Sequence, residues 1–113
     1  IAKMARRLED TPEGSGNMLD NTVIVYMSDA PDTHHSTCYE WPLVIVGNLK
    51  SKMRLGGQYV NFPGYGKPGH RTVGCLYNSF LRSVGTKQEM FGSIDPDLDL
   101  QAMQTGPLTE LMV

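Results

Sequence analysis

Apolar residues at Ile1, Met4, Ala5 and Leu8 recur at the three- and four-residue spacing of one helix face, with Lys3, Arg6 and Arg7 on the other. The chain therefore opens in mid-helix, without an initiator Met or signal sequence, which predicts a C-terminal fragment of a longer protein. A polar, breaker-rich turn follows at Thr11–Asn17. Thr22–Met27 is then continuously apolar and β-branched, the pattern of a strand covered on both faces. Pro42–Gly47 reads as a second short buried strand. The Gly56-Gly57 pair predicts a tight turn into Gln58–Phe62, whose alternation suits a half-buried edge strand. Pro63–Gly69 holds no regular structure. The strongest helical signal is Val73, Leu76, Tyr77, Phe80, Leu81 and Val84, with Thr72 as N-cap and Gly85 as the glycine after the last turn. That apolar stripe is expected to be core.

These elements predict an α/β fold: a central, mostly parallel sheet flanked by helices, rich in loops. Residues 1–113 are expected to form a single C-terminal fragment of a larger α/β domain. Composition narrows the partners. The chain is 40% hydrophobic and 19% charged, with a formal net charge of -2. Nucleic acids and anionic membranes select for basic surfaces, so neither is an expected partner. No apolar run approaches the roughly 20 residues of a membrane span. Cys38 and Cys75 lack metal-site spacing, and one disulfide or two free thiols both remain open. On a helix, Cys75 reads most simply as a small buried hydrophobe.

Candidate chemistry concentrates in the loop Ser28–Trp41, directly after the first buried strand. Open α/β sheets place ligands at the carboxyl ends of their strands, where the loops leave. Here Asp29, Asp32, His34 and His35 bring two carboxylates and two imidazoles together. Such oxygens and neutral ring nitrogens are the usual ligands of zinc, iron or manganese. Adjacent side chains such as His34 and His35 usually diverge, so both need not bind one ion with Asp29; one could be a ligand while its neighbour binds substrate or a second ion. A solvated His-His pair beside a turn-forming Asp is the plain alternative. Tyr39, Glu40 and Trp41 could line the same mouth, but Trp41 is expected in the core. His70 could be a remote ligand or an anion contact, or a loop histidine beside a helix cap. Arg71, near a helix N-terminus, could hold an anion. The alternation of Asp95, Asp97 and Asp99 is interrupted by Pro96 and lacks the glycine and glutamate of an EF-hand, so it is not read as a calcium loop.

The ordered series Leu19–Asp29, a His-His pair, Trp41–Gly47, Gly56–Val60, Leu81–Gly85 and Met90–Ser93 resembles the C-terminal region of a bacterial family of unknown function named for an H-x-x-S-H-H motif. That family is similar to the alkaline-phosphatase and sulfatase superfamily. The resemblance covers nearly the whole chain and implies a sheet between helices with metals at the strand ends. It implies that Asp29 matches the strand-tip metal aspartate, and His34 or His35 the metal histidine that follows. The ion would be divalent, with zinc, manganese, iron and calcium all open. A small anionic phosphate or sulfate ester would be the substrate, and the parent would be periplasmic or extracytoplasmic. Two departures stand against this. The naming motif is absent, since Asp32-Thr-His-His-Ser36 does not match it, and the superfamily's nucleophile would lie upstream of Ile1, in a missing N-terminal part. The alternative is an exported binding or structural protein that kept the fold without catalysis.

Overall fold

The computed structural model describes residues 1–29 and 40–113. Helix α1 spans Ala2–Glu9, as its periodicity predicts, with Arg6 and Arg7 in the last turn, where cations suit the carbonyl end of the helix dipole. Its apolar stripe is only partly covered: Ala5 and Leu8 are half-buried, Ile1 and Met4 exposed. The Thr11 hydroxyl donates to the Arg7 carbonyl at 2.6 Å, and a short antiparallel pair follows, β1 (Pro12–Glu13) with β2 (Gly16–Asn17). A single 3₁₀ turn, Met18–Asn21, is closed by a reciprocal box. Asn17 Oδ1 accepts from the Asp20 N–H at 3.1 Å, and Asp20 Oδ2 accepts from the Asn17 N–H at 3.0 Å.

The chain is a mixed α/β unit, but its sheets are antiparallel pairs. Strand β3 (Val23–Met27) pairs with β4 (Leu43–Gly47) in continuous antiparallel register, from Val23 opposite Gly47 to Met27 opposite Leu43. This corrects the expectation of a mostly parallel sheet. Parallel neighbours need a crossover element, whereas antiparallel ones join through a direct connection, and an apolar run carries no information on strand direction. Nor is the pair covered on both faces. Val23, Leu43 and Ile45 pack on the core, while Tyr26 and Val44 face outward. The expected strand at Gln58–Phe62 is also absent. The Gly56-Gly57 turn forms, with Gly57 at φ +65°, but the Gln58 side chain then bonds the carbonyls of Arg54 and Glu110, and the chain runs on without a ladder partner among the described residues.

Gly47 closes β4 for a steric reason. It sits at φ +106°, and a Cβ there would lie 2.0 Å from the Thr22 carbonyl oxygen. Only glycine reconciles that backbone with so close an approach.

Helix α2 (Val73–Ser83) forms where the sequence places it, and Gly85 takes φ +93° with its N–H on the Arg82 carbonyl at 3.0 Å. Thr72 precedes the helix but makes no side-chain cap bond. The buried face differs from the apolar stripe. Leu76 is buried and Val73 and Phe80 pack against the core, yet Tyr77 and Val84 are exposed. The fully enclosed side chains are Cys75, Asn78 and Ser79, with Ser83 buried one turn further on. Cys75, Asn78 and Ser79 face the C-terminal segment, which holds a π-helical turn at Leu100–Gln104 and a 3₁₀ turn at Thr109–Leu111. The core consists of Met53, Cys75, Leu76, Leu108 and Leu111, and the C-terminus is tied in by an isolated bridge between Met53 and Met112. Cys75 is a free, buried thiol. Among the described residues no helix is long and apolar enough to cross a membrane.

The Gly47 geometry gives a direct expectation. Gly47→Ala should destabilise the fold by more than about 1 kcal/mol, because the new Cβ meets backbone rather than a yielding side chain. Urea denaturation measures this, and an unchanged midpoint would contradict it.

Candidate functional site

Strand β3 delivers Ser28 and Asp29 to its carboxyl end, both exposed. The Trp41 indole N–H donates to the Ser28 carbonyl at 2.9 Å, so the end of β3 and the approach to β4 are tied side to side. Half-buried Trp41 thus serves the neck of this connection rather than the core. Asp29 lies beside the tie, with the Ser28 hydroxyl 3.4 Å from its Oδ1. Among the described residues no lysine or arginine pairs with it. Its proposed co-ligands His34 and His35 lie outside the described residues, as do Asp32, Cys38 and Tyr39. Among the described residues, no group of three or more His, Cys, Asp or Glu side chains is placed to hold a metal ion.

His70 and Arg71 are assembled elsewhere, against the C-terminal segment. His70 is only 8% exposed, with Nδ1 2.9 Å from the Pro63 carbonyl. A carbonyl can only accept, so Nδ1 is the donor of this bond. Tyr65 packs edge-on to the imidazole at 5.8 Å. Arg71 gives its guanidinium to backbone: Nη2 donates to the carbonyls of Thr105 at 2.7 Å and Pro107 at 3.0 Å, and Nη1 to Ala102 at 3.4 Å. Those donors hold a chain segment in place. None of the hydrogen bonds of His70 or Arg71 runs to Asp29.

The carboxylates of Asp95 and Asp99 are likewise engaged locally. Tyr65 donates to Asp95 Oδ2 at 2.6 Å, the Asp97 N–H to Asp95 Oδ1 at 2.9 Å, and the Ala102 N–H to Asp99 Oδ1 at 2.6 Å. The Tyr65 hydroxyl first, and the Asp97 amide second, hold the Asp95 carboxyl below the ordinary carboxylate range, against a smaller opposing effect of burial. Gln104 completes the turn, accepting from the Asp95 N–H at 2.8 Å and donating to the carbonyls of Asp95 at 2.9 Å and Leu98 at 3.1 Å.

Two concavities were not anticipated. An open cleft of about 710 Å³ runs between Arg54, Gln58, Asn61, Arg71 and Glu110, with Tyr59 on its lip. It forms because the Arg54 N–H bonds the Leu111 carbonyl at 2.9 Å, bringing distant loops together. A smaller polar cup of about 350 Å³ lies between Glu13, Asp20, Asn48 and Lys50. Its rim contains three successive left-handed residues, Leu49, Lys50 and Ser51, at φ 50°, 55° and 61°. The Lys50 N–H on the Asp20 carbonyl at 2.6 Å and the Met53 N–H on the Asn48 carbonyl at 3.0 Å pin that turn. None of the three favours positive φ, so no sequence signal marks it.

Comparison with protein-family models, curated proteins and solved structures finds no match to this chain.

The Tyr65–Asp95 bond sets a pH dependence. A carboxyl lowered in the folded state adds stability above its unfolded pKa and loses it as pH falls through the folded value. In Tyr65→Phe the Asp95 titration should therefore move upward. The stability difference from the parent chain should be full at neutral pH and shrink in acid. Carboxyl-carbon NMR titration with denaturation at several pH values measures both. An Asp95 titration that stays put would contradict the assignment.

Proposed function

We propose that the Ser28–Trp41 connection binds a divalent cation through Asp29 and either His34 or His35, and that the chain is part of a metal-dependent phosphate- or sulfate-ester hydrolase. The supporting observation is the setting of Asp29: an exposed carboxylate at the tip of β3, beside a neck that the Trp41–Ser28 bond closes. A ligand on such a tie has less freedom to lose on binding than one in an open loop. The resemblance to the H-x-x-S-H-H family and its phosphatase-like superfamily supplies the reaction class. A bound divalent ion would polarise an ester oxygen and lower the pKa of a coordinated nucleophile. This chain's own contribution would be the Asp29 carboxylate and the imidazole of His34 or His35, which would orient the ion. A periplasmic or outer-surface home rests on the same resemblance, as does completion of the site by an N-terminal part of the parent protein.

A second reading has its own observation. The guanidinium of Arg71 is committed to three carbonyls and His70 to a fourth, so neither of the groups nominated to steady an anion is aimed at one. That favours an exported binding or structural protein that holds a cation, or none, without hydrolysis.

Titration calorimetry of the 113-residue chain with zinc and with manganese tests the cation site. One ion per chain is expected, with at least about a tenfold weaker affinity in Asp29→Asn and a comparable loss in His34→Ala or His35→Ala. Absence of binding, or an Asp29→Asn variant that binds as well as the parent, would overturn it.

A further inference from the structure

The larger cleft, about 710 Å³ in volume, is of the size that takes small organic molecules. Its walls are tied in advance. Gln58 Nε2 donates to the carbonyls of Arg54 and Glu110, and Arg71 is fixed by its bonds to the carbonyls of Ala102, Thr105 and Pro107. A cavity with held walls gives up little freedom when it binds.

The lining carries charge without counter-ions. Arg71 meets three carbonyl dipoles but no carboxylate. The exposed side chain of Arg54 makes neither a hydrogen bond nor an ion pair among the described residues. One carboxylate, Glu110, shares the lining with these two guanidiniums and pairs with neither. The cleft therefore holds a single net positive charge, and a concave, low-dielectric wall concentrates such a field. Beside it stand groups that suit a flat molecule. Half-buried Val60 and Phe62 form part of the wall, and Tyr59, 90% exposed, offers almost its whole ring at the lip. A ring left so open gains by covering a second flat ring.

We propose that this cleft binds a small planar monocarboxylate, with the carboxylate on Arg54 and the ring against Tyr59. The planar fork of guanidinium N–H groups matches the two oxygens of a carboxylate. Arg71 contributes its charge rather than its donors, which are turned to backbone. Glu110 sets the limit of one negative charge, because a second would meet its repulsion. The cleft contains none of Asp29, His34 and His35, so it does not depend on the cation proposed there.

Benzoate titrated into the metal-free, isotope-labelled chain tests this, with backbone amide shifts as the readout. Saturable shifts are expected around residues 54–62, 71 and 110, with a Kd of about 1 mM or tighter. Benzamide, the neutral counterpart, should bind at least about tenfold more weakly. Arg54→Gln should weaken benzoate at least about fivefold and Tyr59→Ala at least about threefold. Both variants should keep the remaining spectrum, since both side chains are exposed. Absent or unsaturable shifts, shifts centred elsewhere, or equal affinity for benzamide would overturn the proposal. So would either variant binding benzoate as tightly as the parent.

Discussion

The grip of helix α2 on the backbone of the C-terminal segment holds the rest of the molecule in place. Residues 102–108 belong to no sheet, and buried backbone groups left unpaired would cost as much as lost hydrogen bonds. The helix face supplies what a neighbouring strand would otherwise provide. Asn78 Nδ2 donates to the carbonyls of Glu89 at 3.0 Å and Gly106 at 3.3 Å, and Ser79 Oγ accepts the Leu108 N–H at 2.8 Å while donating to the Cys75 carbonyl. The Thr72 N–H reaches the Met103 carbonyl at 3.1 Å, and Arg71 takes three more carbonyls. Each neutral bond contributes roughly 0.5–1.5 kcal/mol net, and those of a guanidinium somewhat more. Together they seat Leu108 and Leu111 in the core, against which the inner face of the ribbon packs. Asn78 Oδ1 and Arg71 Nε are buried without hydrogen-bond partners among the described residues, which tempers the gain.

This explains where the sequence was readable. The 3.6-residue period located α1 and α2 closely, and the two β-branched runs located β3 and β4. Gly85 and the Gly56-Gly57 turn announced their backbone geometry through residue type. Strand direction was not legible, because VIVYM and LVIVG look alike in parallel and antiparallel settings. The buried side of α2 was misread for a physical reason. Small polar residues such as Asn78, Ser79 and Ser83 register as solvent-facing by hydropathy, yet they are the side chains that capture backbone partners in the interior.

Of the candidate site, only the place of Asp29 in the chain was legible. Position after an apolar strand marks Asn- or Asp-bearing tips, and Asp29 is at such a tip. What no pattern revealed was the Trp41–Ser28 tie that closes the connection, because an indole bonding a carbonyl thirteen residues earlier leaves no spacing signature. Arg71 shows the converse. A cation before a helix suggests an anion site, but an arginine equally suits a bare C-terminal segment with carbonyls to satisfy. Its three acceptors lie more than thirty residues away in the chain, beyond the reach of local reading.

The claim that side chains of α2 take the place of a missing strand is tested most directly by amide hydrogen exchange at Leu108. In the parent chain this N–H should be among the slowly exchanging ones, and Ser79→Ala should speed it selectively while amides within α2 keep their protection. Equal protection of the Leu108 amide in both proteins would contradict the account.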